Sequence, residues 1–150
     1  MRKKSVFNDE QSFLSSWYNL TKGFGEFFKS ESEGLEINPA EAMFLSLIYY
    51  KDGISQREIA NKLLVSEANI TKTFKKLERK ELTYKTIDEE NHARRNLHLT
   101  EKGEKTFEKC IKIFDKFDSI LFEGLNDEER EKMLEQMKRV GDKSIRLAKK

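Results

Sequence analysis

At 150 residues the chain has the length of one ordinary domain, yet 37% of it is charged and only 37% apolar, so a single protomer can bury only a thin core. Twenty-nine basic residues nearly balance 27 acidic ones, and a net charge of +2 does not announce a nucleic-acid partner by itself; the placement of the charges has to decide. One cysteine excludes an internal disulfide and a thiolate zinc cluster, His92 and His98 have no third metal ligand nearby in sequence, and no run approaches the ~18 apolar residues of a membrane span.

Residues 1–4 are basic but no apolar segment follows them, so a soluble, cytoplasmic protein without cofactor or metal is expected. Long amphipathic helices suit such a composition, and a second copy would cover the apolar stripes that one thin core leaves bare. There is no repeat and no low-complexity tract, and proline occurs once.

Helix starts are marked by an oxygen-bearing cap with Glu or Gln three residues later, because the two side chains satisfy backbone N–H groups orphaned at the helix end. The pairs are Asn8/Gln11, Asn38/Glu41, Ser55/Glu58 and Asn126/Glu129, and Pro39 follows Asn38 at the position where a missing N–H is harmless. A first helix is predicted over about 9–28, with Phe13, Trp17, Leu20, Phe24 and Phe27 on one stripe, ending in the polar segment 30–36. The second covers about 39–50 and stops at the turn dipeptide Asp52-Gly53.

The third helix covers 56–64, with Ile54 and Ile59 as a hydrophobic staple, and Ser66 caps a fourth almost at once. Two short helices joined within about three residues are a helix-turn-helix. Beyond Lys80 the period changes: Leu82, Tyr84 and Thr86 alternate with polar residues, as do Leu97 and Leu99 beyond a charged tip at 88–94, which predicts a β-hairpin wing. Thr100 caps a fifth helix to about Glu123, carrying Phe107, Cys110, Ile111, Phe114, Phe117 and Leu121 on its stripe; the sixth begins at Asn126 and carries Met133, Leu134, Met137 and Val140.

On the fourth helix, Ile70, Phe74 and Leu77 share one narrow face, which places Ala68, Lys72, Lys75 and Arg79 opposite, flanked by Asn69, Thr71 and Lys76. That is chemistry suited to a major groove: small residues permit close approach, Asn can pair bidentately with adenine, and Lys contacts phosphate or guanine. A solvated lysine face is the plainer reading of the wheel, and the helix-turn-helix spacing and the wing favour DNA over it. In the wing, Lys85, His92, Arg94 and Arg95 lie on or near the tip, although Asp88, Glu89 and Glu90 share it; arginine on a protruding hairpin can enter a minor groove.

The runs Asn38-Pro39-Ala40-Glu41, Ser55-Gln56-Arg57-Glu58-Ile59-Ala60, Ser66-Glu67-Ala68-Asn69-Ile70-Thr71-Lys72 and Leu97-His98-Leu99-Thr100-Glu101-Lys102-Gly103 together resemble the MarR family of regulators over nearly the whole chain. The resemblance implies a mainly α winged helix-turn-helix of six helices with a small β-hairpin wing. Helices 1, 5 and 6, within 1–36 and 100–150, would form a homodimer, and a lobe over 37–99 would bind double-stranded DNA. The family's wing usually carries Asp-x-Arg at its tip; here those positions hold Asn91 and Ala93, with Arg94 displaced by one.

The residues expected at DNA are therefore Ser55, Gln56, Ser66, Glu67, Ala68, Asn69, Thr71, Lys72, Lys75, Lys76, Arg79, Lys85, His92, Arg94 and Arg95. Those expected at the dimer interface are Phe13, Trp17, Leu20, Phe24, Phe117, Leu121, Met137 and Val140. The resemblance also implies a small, often anionic aromatic effector. Trp17, Tyr18, Phe44 and Tyr50 are the kind of residues that line such a pocket, but aromatic residues on helical stripes are more often core, and no ligand site is assigned.

A subgroup of the family senses peroxides through a cysteine in or near the first helix. Cys110 lies instead on the apolar stripe of the fifth, where burial raises a thiol pKa and makes it inert. No phosphate loop, nucleophile elbow or clustered His, Cys and carboxylate set points to an enzyme. RNA binding lacks an exposed aromatic platform, and a DNA-free protein adaptor would show apolar residues where the fourth helix has Lys72, Lys75 and Arg79.

Overall fold

A computed structural model describes residues 12–149. The Asn8/Gln11 cap lies outside the described residues. Helix α1 (Phe13–Glu31) is capped by Ser12, whose side chain accepts from the Ser15 N–H. It runs three residues past its expected end, because Lys29, Ser30 and Glu31 do not oppose a helix; the break comes at Gly34, with φ +84°, where a glycine meets no steric penalty.

Helix α2 (Pro39–Tyr50) starts at the expected capping box: Asn38 Oδ1 accepts from Glu41 N–H at 2.8 Å and Glu41 Oε2 from Asn38 N–H at 3.1 Å. A two-residue strand β1 (Ile54–Ser55) then leads into α3 (Gln56–Leu63), opened by the Ser55/Glu58 box, and Ser66 caps α4 (Glu67–Arg79). Strands β2 (Thr83–Ile87) and β3 (Arg95–Leu99) make the hairpin, followed by α5 (Glu101–Leu121) and α6 (Asp127–Ala148).

The sheet is antiparallel in the order β1-β3-β2. Strand β1 is not legible in the sequence, since two residues have no period; the pairing of Ile54 with Leu97 and Ser55 with Asn96 creates it. The alternation expected from Leu82 through Tyr84 and Thr86 is also out of phase. Leu82 is buried but precedes the strand, behind Glu81 with φ +59°, and within β2 it is Thr83 that is buried while Tyr84 is exposed. Tyr84 instead stacks on His98, its partner across the strands, with ring centroids 4.9 Å apart.

Of the described residues, those up to Phe114 form one compact unit and those from Asp115 a second. The core of the first joins Phe28 of α1, Phe44, Leu45 and Ile48 of α2, Ile59 of α3, Ile70, Phe74 and Leu77 of α4, Leu97 of β3 and Phe107 and Cys110 of α5. Helix α5 enters this unit through Gly103: a Cβ there would lie 2.0 Å from the Leu82 carbonyl oxygen, a clash no side chain can relieve. In the second unit α6 starts at the Asn126/Glu129 box, and Phe122 is buried with the Arg130 guanidinium 5.3 Å from its ring centroid. Among the described residues no helix is long and apolar enough to cross a membrane.

Candidate nucleic-acid interface

Helix α4 is pinned by its apolar face, where Ile70, Phe74 and Leu77 are buried, so the opposite face must point outward. Ala68, Asn69, Lys72, Lys75, Lys76 and Arg79 are all exposed there. Among the described residues no carboxylate pairs with Lys72, Lys75 or Arg79. The α4 face thus holds three uncompensated cations beside an amide and a methyl group.

The neighbouring candidates brace the two helices. Gln56 Nε2 donates to Thr71 Oγ1 at 3.0 Å, Thr71 Oγ1 donates to the Glu67 carbonyl, and Arg57 Nε lies 3.4 Å from Glu67 Oε1. Ser55 and Ser66 spend their hydroxyls as caps, accepting from the Glu58 and Asn69 N–H groups, and Ser55 is buried. Of the expected DNA residues, Gln56, Thr71 and Glu67 therefore tie α3 to α4, whereas Ser55 and Ser66 fix where those helices start.

Lys76 does not join the free cations. Its Nζ lies 2.7 Å from Glu41 Oε1, while Lys80 Nζ lies 3.1 Å from Glu41 Oε2. The Glu41 side chain is only 5% exposed, which by itself would raise its pKa, but the Lys76 ammonium, the Asn38 N–H and the Lys80 ammonium outweigh burial and hold it below the usual carboxylate range. Glu41 so serves both as the box residue of α2 and as the anchor for the end of α4.

The wing tip is knitted around a carboxylate. Asp88 Oδ1 accepts from the Glu90 and Asn91 N–H groups, and Asp88 Oδ2 accepts from Asn96 Nδ2, which keeps its pKa low. Arg94 is drawn inward rather than held out at the tip: Nη2 lies 3.3 Å from Glu58 Oε2 and Nε 3.9 Å from Asp88 Oδ2. Arg95 donates from Nη1 to the His92 carbonyl at 2.6 Å, and His92 is exposed at the tip. Lys85 sits mid-strand opposite Leu97, its ammonium 5.9 Å from the Phe74 ring centroid, and so is not at the tip as expected. A groove of about 580 Å³ between the start of α3 and the wing is lined by Gln56, Arg57, Asn61, Asn91 and Arg94.

Glu58 was not singled out in the sequence beyond its capping role. Its carboxylate accepts from Lys51 Nζ at 2.5 Å and from the Ser55 N–H at 2.9 Å, and these bonds hold its pKa at about 2. The capping pattern marks such a glutamate; its partners in α2 and the wing come from long-range folding. Of the two histidines, His98 is bonded to Asp52 Oδ1 and Thr86 Oγ1, both at 2.8 Å.

The residues expected at a dimer interface divide. On α1, Phe13 and Trp17 are 65% and 55% exposed and stack on each other, Leu20 is half-buried, and Phe24 packs on Phe28 and Phe114 within the protomer core. In the second unit Leu121, Met137 and Val140 are exposed, Phe117 is half-buried, and α6 has no buried residue. Phe44 is wholly core and Cys110 is buried, whereas Tyr18 and Tyr50 are exposed.

Comparison with known proteins agrees with this architecture. The model of the MarR family matches residues 37–94, which span both helices of the helix-turn-helix and most of the wing. The HTH-type transcriptional regulator BilQ of Clostridium symbiosum (strain WAL-14163) is 30% identical over 132 residues, covering 88% of this chain and 92% of the relative. MhqR of Bacillus subtilis (strain 168), also an HTH-type transcriptional regulator, is 32% identical over 109 residues, with 70% and 72% covered. The crystal structure of the S. aureus MepR–DNA complex superposes with a TM-score of 0.79 at 25% identity, covering 88% of this chain and 98% of that one. The regulator SlyA, with a TM-score of 0.83 at 18% identity over 91% of this chain and 96% of its own, shares the fold. The chain therefore belongs to the MarR family of winged helix-turn-helix transcriptional regulators, which are not enzymes.

Proposed function

We propose that this chain is a repressor that binds an inverted-repeat operator as a homodimer, with α4 in the major groove and the wing along the flanking minor groove. The observation that carries the reading is the outer face of α4, where Lys72, Lys75 and Arg79 are exposed and, among the described residues, free of carboxylates, beside Asn69 and Ala68. An ammonium left uncompensated on a rigid helix is suited to phosphate or guanine, and the exposed Asn69 amide near the helix start is suited to adenine. Exposed lysines here, rather than apolar side chains, disfavour a protein adaptor.

Residues 37–99 serve as the DNA-binding lobe, and residues 1–36 and 100–150 as the dimerisation region. Support for the second assignment is the bare apolar surface of Phe13, Trp17, Leu121, Met137 and Val140, which a monomer would leave in water. Two copies of α4 related by a two-fold axis fit half-sites centred about one helical turn apart. On the wing, His92 and Arg95 are the candidates nearest the tip, since Arg94 is engaged elsewhere. A small anionic aromatic effector is the release signal in keeping with the family, and exposed Tyr18 and Tyr50 are available to pack on one.

A nuclease footprint with purified protein on fragments of the source genome tests the reading. The expected result is a short inverted repeat protected at protein concentrations far below those that coat random DNA. Uniform protection of all sequences would contradict a specific operator, and no protection would return the adaptor reading.

A further inference from the structure

The wing's one arginine turned toward the helix-turn-helix bridges two carboxylates, each rooted in a different part of the lobe. Glu58 is fixed in the first turn of α3 by its capping bonds to Ser55, and Asp88 is fixed in the hairpin by the Glu90 and Asn91 N–H groups and Asn96. Arg94 spans them, at 3.3 Å from Glu58 and 3.9 Å from Asp88, and its side chain is 44% exposed. The tip's other bonds, among them the Arg94 N–H to the Asn91 carbonyl at 2.8 Å, the Asp88 N–H to the Arg94 carbonyl at 3.1 Å and Arg95 Nη1 to the His92 carbonyl at 2.6 Å, stay within the hairpin. Among the ion pairs of the described residues, Glu58–Arg94 alone joins the hairpin tip to α3.

We propose that Glu58 and Arg94 form a latch that sets the wing against α3, so that Arg94 is a positioning residue and the groove contact falls to other tip residues. This rests on the DNA-binding reading above. A half-exposed pair of this kind is individually weak, but the tip's other bonds hold it to the hairpin and not to α3, so a small free energy shifts its mean position against α3.

Glu58→Gln isolates the charge, because glutamine still accepts from the Ser55 N–H and so preserves the start of α3. Lys51→Gln is the control: it removes the other ion pair of Glu58 and leaves Arg94 in place. Amide exchange in the free protein is expected to quicken about twofold to fivefold at Asp88 and Arg94 in Glu58→Gln and Arg94→Gln, the range set by a half-exposed ion pair, with Arg94→Lys and Lys51→Gln near the parent. In hydroxyl-radical footprints, Glu58→Gln and Arg94→Gln should both lose protection of the flanking minor groove, keep the α4 half-site, and together do no more than either alone. Flank protection retained in Glu58→Gln but lost in Arg94→Gln would assign Arg94 to the groove itself and overturn the latch, as would unchanged exchange in Glu58→Gln. Should the parent bind no duplex, the DNA-binding reading fails and the exchange comparison alone decides the latch.

Discussion

Lys76 Nζ lies 2.7 Å from a Glu41 carboxylate that is 5% exposed, so this lysine, although on the outward side of α4, is tied to α2. Glu41 Oε1 is buried and has no hydrogen-bond partner, so the Lys76 ammonium is what compensates it. Lys76→Ala should therefore destabilise the fold by about 1 to 3 kcal/mol, the cost of leaving a buried carboxylate oxygen without its counter-charge. Urea unfolding measures this. A variant as stable as the parent, with a flattened salt dependence of DNA binding, would place Lys76 among the phosphate contacts instead.

Gly103→Ala should be among the most disruptive single-methyl changes in the chain. The added carbon would sit 2.0 Å from the backbone oxygen of Leu82, and the Thr100 N–H already donates to that same oxygen at 3.0 Å. Overpacking against backbone costs about 1 to 3 kcal/mol or more, because α5 has to move. Thermal unfolding should show a clear drop in Tm; an unchanged Tm would mean that α5 is not held against the hairpin in this way.

Burial pushes the Cys110 thiol up to about 11, so almost no thiolate is present at neutral pH. Native protein should react slowly with a disulfide reagent and urea-unfolded protein rapidly, and peroxide should leave DNA binding intact. Rapid native labelling with peroxide-dependent release would point to redox sensing.

The Glu58 carboxyl is held at about 2 by Lys51, the Ser55 N–H and its hydroxyl, below an ordinary value of 4.5. A depressed folded-state pKa contributes stability that is fully present above 4.5 and is lost as pH falls toward 2, because the unfolded chain takes up the proton first. Between those limits the parent should lose stability more steeply than Glu58→Gln, which lacks this titration. Parallel stability curves in urea across that window would contradict it.

Much of the fold is legible because its signals are local. Capping boxes at Asn38, Ser55 and Asn126 place helix starts to the residue, since the same two side chains that mark them in sequence make the bonds. What escapes the sequence depends on distant partners: β1 exists only by pairing with β3, and the phase of β2 is set by the backbone turn at Glu81. The same division runs through the candidate site. The outward face of α4 follows from its period, whereas the capture of Lys76 by Glu41 and of Arg94 by Glu58 joins residues 35 or more positions apart that no periodicity relates.

A salt titration of affinity for the protected duplex, comparing the parent with Lys75→Ala and Asn69→Ala, tests most directly whether α4 reads DNA. Losing one phosphate contact per protomer should lower the slope of log affinity against log salt by about 0.9 per contact in Lys75→Ala, on preferred and random duplexes alike. Asn69→Ala should leave the slope unchanged and cost about 1 to 3 kcal/mol per half-site on the preferred duplex, with little loss on random DNA. Parent-like affinity and slope in both variants would show that this face of α4 does not contact DNA.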